Sequence, residues 1–183
     1  MNDLQAVQRL KDGDIGGLEY LVARYQSRAV RTAFLVTHDE ELAEDAVQDA
    51  LLRIHRRIHK FDASRPFEPY LLRIVVNAAL DLAKSAGGYL SMEGDLDLME
   101  GLLSQAASVE SEVEYLQMKQ GIIQALARLE PRQRAAVVQR YYLDMSEKEM
   151  AAALGAPPGT VKWLLNAART KLRDLLGSER SVE

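Results

Sequence analysis

Lys162, Trp163, Asn166, Thr170 and Arg173 recur at steps that place them on one side of a helix. Their side chains offer two cations, an indole N–H, an amide and a hydroxyl. These are the groups that hold phosphates and hydrogen-bond base edges in a DNA major groove. The interleaved residues Val161, Leu165, Ala168, Leu172 and Leu175 fall at steps of four, three, four and three, which makes an apolar stripe on the opposite side. A helix buried on one face and polar on the other suits a reading helix, here expected from Thr160 to about Leu176. Thr160, Lys162, Trp163, Asn166 and Arg173 are its candidate DNA contacts. Lys162 and Arg173 are expected to hold phosphate, and Asn166 to read a base, with adenine its natural partner.

A shorter helix precedes it. Ser146 with Glu149 three residues on forms a capping box, Met150 and Leu154 supply a buried face one turn apart, and Gly155 can end the helix in a left-handed conformation. Ala156-Pro157-Pro158-Gly159 is a tight connection with proline near the next helix start. The pair reads as a helix-turn-helix. The same pattern also fits a surface hairpin on a bundle, with Arg169, Lys171 and Arg173 serving the helix dipole.

The N-terminal half carries two further constellations. A helix from about Glu40 to His59 has an apolar stripe of Ala43, Val47, Leu51, Ile54 and Ile58. Half a turn away lie Asp45, Gln48, Asp49, Leu52, Arg53 and Arg56. Mixed charges of this kind usually form a solvated face, but Leu52 among them resembles a protein docking surface. The loop from Phe61 to Pro66 and the helix from Phe67 to Lys84 bring together Phe61, Arg65, Phe67, Tyr70, Arg73 and Asn77. Aromatics beside arginine and asparagine can stack on and hydrogen-bond unpaired bases. The competing reading makes the rings core plugs.

Other chemistries find little support. His55 and His59 sit one turn apart, as a metal pair would, but Arg53, Arg56, Arg57 and Lys60 adjoin them and no carboxylate lies between. No metal site is expected and no cofactor. The chain has no cysteine, no glycine-rich phosphate loop and no serine elbow, so no enzyme is expected. No apolar run is long enough to cross a bilayer, and no secretory signal opens the sequence. A cytoplasmic protein without membrane insertion is the expectation.

Net charge is −4 over 183 residues, unpromising for a DNA-binding protein until it is mapped. Residues 1–90 hold 12 basic and 13 acidic side chains; residues 91–118 hold 7 acidic and no basic ones; residues 119–183 hold 11 basic and 7 acidic ones. Acidity is concentrated in the middle, and the part with the helix-turn-helix is basic, as phosphate contact favours. All periodicity is helical. Helices are expected over Asp3–Lys11, Gly17–Val36, Glu40–His59, Phe67–Lys84 and Arg132–Leu143, then the helix-turn-helix. The fold expected is all-α, with two small helical domains (1–87 and 110–183) on an acidic linker (88–109).

Taken in order, these segments resemble a bacterial RNA polymerase sigma factor of the extracytoplasmic-function type, group 4 of the sigma-70 family. The resemblance covers almost the whole length. It rests on Ala43-Glu44-Asp45-Ala46-Val47-Gln48-Asp49-Ala50-Leu51-Leu52 and Tyr70-Leu71-Leu72-Arg73-Ile74-Val75-Val76-Asn77 in the first part. In the second it rests on Leu129-Glu130-Pro131-Arg132-Gln133-Arg134, Arg140-Tyr141-Tyr142 and Leu154-Gly155-Ala156-Pro157-Pro158-Gly159-Thr160-Val161-Lys162.

The resemblance implies a transcription initiation factor that binds core RNA polymerase, through the β′ clamp and β subunits, and takes it to promoter DNA. It assigns core binding to Asp45, Gln48, Asp49, Leu52, Arg53 and Arg56. It assigns recognition and melting of the −10 element to Phe61, Arg65, Phe67, Tyr70, Arg73 and Asn77, and the −35 element to the helix-turn-helix. An anti-sigma factor is an implied partner, and the linker is implied to thread a basic channel of the polymerase. The chain departs from the family in having Tyr70 for a usual tryptophan, few basic residues after Asn77, and no arginine at Trp163, Leu164 or Ala167. The alternatives are a helix-turn-helix regulator acting without polymerase, or a degenerate sigma-like protein that binds only an anti-sigma partner.

Overall fold

A computed structural model describes residues 1–87 and 112–179; the acidic linker expected over 88–109 lies outside the described residues. No strand occurs among the described residues, as the helical periodicity requires. Helix α1 (Asp3–Lys11) is opened by a capping box between Asn2 and Gln5. Helix α2 (Gly16–Thr37) ends where His38 takes the left-handed conformation at φ 58°. Helix α3 (Glu40–Arg57) starts at Asp39, whose carboxylate accepts the Leu42 N–H at 2.9 Å, and runs into a 3-10 turn over Ile58–Lys60. Helix α4 spans Phe67–Ser85.

These four helices pack closely because small side chains line the seams. Ala29, Ala33, Ala43, Ala46, Ala50, Ala78 and Ala79 are all buried, and backbones approach where alanine takes little room. Leu21, Phe34, Ile54, Ile58, Leu71 and Val75 fill the space between, each worth roughly 1.5–3 kcal/mol when fully buried. Gly17 marks the tightest crossing. A Cβ there would lie 2.2 Å from the Ala6 carbonyl oxygen, so α1 and α2 can cross only over glycine. Lys11 then ties α1 to the loop before α4 by donating to the Phe61 carbonyl at 2.7 Å.

The C-terminal half comprises α5 (Glu112–Ala127), α6 (Pro131–Val137), α7 (Glu147–Leu154) and α8 (Pro158–Glu179). The single helix expected over Arg132–Leu143 is broken. After Val137 the backbone widens into a π-helical turn over Val138–Tyr142, closed by the Leu143 N–H to the Val138 carbonyl at 3.0 Å. Apolar spacing does not distinguish a four-residue from a five-residue hydrogen-bond step, which only the backbone pairing reveals. The turn leaves Tyr141 exposed and brings Tyr142 against Arg28 of α2, with the guanidinium 6.0 Å from the ring centroid.

The two halves share a core. Leu126, Leu129, Ala135, Val137, Val138 and Ala168 belong to the same apolar cluster as helices α1 to α4, with α6 lying on α2 and α4. A second cluster of Ala136, Met150, Val161, Leu164 and Leu165 holds the helix-turn-helix together. Arg134 of α6 is 1% exposed, and its Nε and Nη1 have no hydrogen-bond partner. Burial pushes its guanidinium down to about 10, against the raising influence of Glu130. On the α2 side, burial and then the charge of Arg134 push His38 down to about 4.

Candidate nucleic-acid and protein interfaces

The helix-turn-helix forms where the sequence places it. Ser146 and Glu149 make the capping box, with the Ser146 N–H donating to Glu149 Oε2 at 2.8 Å and the Glu149 N–H to Ser146 Oγ at 3.3 Å. The Ser146 hydroxyl, which donates to Glu149 Oε2 at 2.6 Å, and then the Ser146 N–H hold the Glu149 carboxyl below its ordinary range. Gly155 ends α7 at φ 58°, a left-handed conformation that glycine takes without steric cost. Helix α8 begins at Pro158, two residues before the expected Thr160, with proline at the first position where no N–H is needed.

Along α8, Val161, Leu164, Leu165 and Ala168 are buried, while Leu172 and Leu175 are half-buried. Leu164, which the sequence stripe omits, widens the buried face. Lys162, Trp163, Asn166, Thr170 and Arg173 all face solvent, Trp163 with 63% of its surface exposed, and Thr160 is half-buried. Two of these residues are not free. Lys162 Nζ lies 3.8 Å from Glu147 of α7, and Asn166 Oδ1 accepts from Arg169 Nη2 at 3.0 Å. Arg169 is absent from the sequence-derived set, although its position three residues after Asn166 was the available signal.

On α3, Asp45, Gln48, Leu52 and Arg56 are exposed, with Leu52 at 55%, and Asp49 and Arg53 are half-buried. Arg53 pairs with Asp49 at 2.6 Å and leans to Asp81 of α4 at 3.8 Å. The surface is therefore an exposed leucine bordered by carboxylates, an amide and a partly neutralised arginine.

The third constellation is assembled differently. Phe61 and Phe67 are buried, only 7% and 2% exposed, the core-plug position, and Tyr70 leans on them half-buried. The Tyr70 and Phe61 centroids are 4.5 Å apart, and Phe61 meets Phe67 edge-on at 5.9 Å. Burial pushes the Tyr70 phenol up, with Arg73 and Arg57 opposing. Arg65 is exposed and 3.5 Å from Asp62. A cavity of about 470 Å³ brings Phe61, Arg65, Tyr70 and Arg73 together with Met145 and Glu149. A second, also about 470 Å³, joins Tyr70, Arg73 and Asn77 to Arg53, Arg57, Ala152 and Ala153. Part of the lining of both comes from the C-terminal half, an arrangement that local sequence patterns do not contain. Asn77 Oδ1 is buried without a partner.

His55 and His59 are exposed, and no cluster of metal-binding side chains exists among the described residues. No helix among them is long and apolar enough to cross a membrane.

Two family models match. Sigma-70 region 2 covers residues 21–88, which contain α3, α4 and the aromatic loop; sigma-70 region 4 covers residues 119–172, which contain the helix-turn-helix. The chain is 34% identical over 165 residues to the ECF RNA polymerase sigma factor SigM of Mycobacterium tuberculosis, covering 90% of this chain and 80% of that protein. It is a sigma factor of the extracytoplasmic-function class. It is also similar to the ECF RNA polymerase sigma factor SigW of Bacillus subtilis, at 26% identity over 93% of this chain and 94% of that protein.

The fold of this sigma factor is like that of CnrH in complex with the cytosolic domain of CnrY, with a TM-score of 0.60 and 23% identity over 96% of this chain and 97% of the other. It is equally like the sigma factor RpoE of Bartonella quintana in complex with the anti-sigma factor NepR, with a TM-score of 0.60 and 22% identity over 87% and 96%. As a sigma factor the chain is a transcription initiation factor that joins core RNA polymerase and directs it to promoters. The α8 and aromatic constellations and the α3 stripe fall within the matched regions, except Arg173, which lies one residue beyond.

Proposed function

We infer that this sigma factor reads the −35 element with the exposed face of α8, melts the −10 element with the aromatic cavity of the loop and α4, and docks on the polymerase's β′ clamp through α3. The carrying observation is the division of α8, whose hydrogen-bonding and cationic side chains face solvent while Val161, Leu164, Leu165 and Ala168 are buried. Thr160, Lys162, Trp163, Asn166 and Arg173 contact the −35 element. Asp45, Gln48, Asp49, Leu52, Arg53 and Arg56 form the docking face, with Leu52 its apolar centre. Tyr70, Arg73, Asn77 and Arg65 meet the unpaired −10 strand, and Phe61 and Phe67 support Tyr70 from the core.

The names of the two elements imply a separation of about 25 base pairs, or about 85 Å at 3.4 Å per base pair. Residues of α7 line the same hollows as Tyr70, Arg73 and Asn77 in the closed molecule, so on this reading the halves (1–87 and 110–183, joined by the acidic 88–109 segment) separate on the promoter. The chain acts in the cytoplasm, where polymerase works. It catalyses nothing itself, since RNA synthesis belongs to the polymerase, and an anti-sigma factor holds it in reserve.

Promoter-specific transcription with purified core polymerase tests this reading. Core polymerase with the wild-type chain should give a discrete run-off product from a promoter selected by that holoenzyme, and Asn166→Ala with Lys162→Ala should abolish it. Transcription that persists with the double variant would remove α8 from the reading role.

A further inference from the structure

A free asparagine amide is an ambivalent reader, with one oxygen that accepts and one NH2 that donates. That duality lets asparagine pair with the N6 and N7 edge of adenine. Asn166 of α8 is not free. Its Oδ1 accepts a charge-assisted hydrogen bond from Arg169 Nη2 at 3.0 Å. Arg169 is itself anchored, because its Nε donates to the Leu165 carbonyl at 3.3 Å. The spacing of three residues puts both side chains on one face, and the arginine runs back toward the helix N-terminus, as long helical side chains do. Both residues face solvent.

This arrangement changes what the amide offers. With its oxygen turned to a guanidinium, Asn166 presents the Nδ2 protons outward, and the remaining N–H groups of Arg169 stand beside them. An approaching adenine would set its N6 amino donor against a cation and a shared oxygen. Guanine instead presents two acceptors, N7 and O6, to two donors. Resting on the reading that α8 enters the major groove, we propose that Arg169 is a positioning residue that fixes Asn166 as a donor, and that the pair selects guanine at one position of the −35 element. The nearby Lys162 does not compete for the amide, since it is drawn 3.8 Å toward Glu147 of α7.

The test is a randomised −35 selection with the assembled holoenzyme, run for wild type, Asn166→Ala, Arg169→Ala and Arg169→Lys. Wild type should enrich guanine at one position. Arg169→Ala frees the amide oxygen and should convert that position to adenine, a swing of roughly tenfold or more in the base ratio. Arg169→Lys keeps a cation at the oxygen but loses the planar fork that sets a second donor beside the amide, so it should still reject adenine while enriching guanine less. Asn166→Ala should erase the preference at that position and leave the others intact. If Arg169→Ala merely weakens binding to all sequences and the preferred base stays the same, Arg169 is a phosphate contact and the proposal is overturned while the reading role of Asn166 survives. If Asn166→Ala alters no position, α8 does not read DNA through this residue and both fall. Unchanged helicity and melting midpoint for Arg169→Ala keep the comparison clean, because the side chain is exposed.

Discussion

The two regions proposed to meet DNA are built on opposite plans. On α8 the candidate contact groups stand in solvent on a helix whose other side packs partly in a small core with α7 and partly, through Ala168 and Leu172, in the shared core. On α4 the candidate contact groups lie beside buried rings, and residues of the C-terminal half line the same hollows. A duplex major groove accepts a ready-made convex helix, whereas an unpaired base needs a hollow with an aromatic floor. On the proposed reading one site is displayed, whereas the other must be uncovered. Burial of Arg134 between the halves, with two nitrogens unpartnered, bears on how easily that happens.

The contrast can be broken most forcefully at the floor of the hollow. Phe67→Ala should destabilise the protein by about 3–5 kcal/mol, as truncation of a buried aromatic does, seen as a large fall in the melting midpoint. Tyr70→Ala, at a half-buried ring, should cost far less stability. It should reduce open complexes on duplex promoters much more than on templates with a pre-opened bubble, read by permanganate reactivity of unpaired thymines. Equal loss on both templates would assign Tyr70 to the fold or the polymerase.

Next in size is the α3 face, which neither plan includes. Gln48→Ala with Leu52→Glu should weaken core-polymerase binding by a few kcal/mol, since a charge is forced into an apolar contact. The melting midpoint should hold, because both side chains are exposed. Unaltered affinity in a core-binding titration would remove Leu52 from the docking surface.

The packing of the two halves is tested by Arg134→Met, which replaces a buried cation with two unpartnered nitrogens by an apolar side chain of similar length. Removing that penalty should stabilise the closed molecule by about 1–3 kcal/mol. The midpoint should rise, and fluorophores on the two halves should report a more closed population. A lowered midpoint would mean that Arg134 holds the interface together.

The smallest effect is a pH dependence. His38 is pushed down to about 4 from an ordinary 6.5, first by burial and then by Arg134, with the Phe34 ring 5.4 Å away. The unfolded chain therefore takes up a proton that the folded one refuses. Stability should fall as pH drops from about 6.5 to about 4 and level off below. The loss between pH 6.5 and 5 should be roughly 1 kcal/mol, because solvent reaches part of the ring. His38→Asn, which tolerates the left-handed backbone at φ 58°, should flatten the slope of melting midpoint against pH.

Local signals were legible wherever a few neighbouring residues decide the outcome. Asp3–Lys11 matches the expected first helix to the residue, and Ser146, Glu149 and Gly155 cap α7 as their types demand. Such caps act within one turn, so the sequence window contains the whole interaction. The Arg132–Leu143 helix was legible as helical but not as broken, because its π-helical turn alters the hydrogen-bond step while keeping a similar apolar pattern. Arg169 was missed for a different cause: it was grouped with Lys171 and Arg173 as charge, and its bond to Asn166 depends on a rotamer.

By itself the sequence determined an all-α chain, the positions of the helices, the split of α8 into apolar and polar faces, and the motifs that match sigma-70 regions 2 and 4. Tertiary structure alone decided that Phe61 and Phe67 are buried while Tyr70 is half-buried against them, that α7 residues line the hollows beside α4, and that Arg134 is sealed beside His38. Periodicity reports which face of a helix is apolar, and that follows from residues three or four apart. Which helix covers that face is set by contacts between residues far apart in the chain, whose energies no local pattern carries.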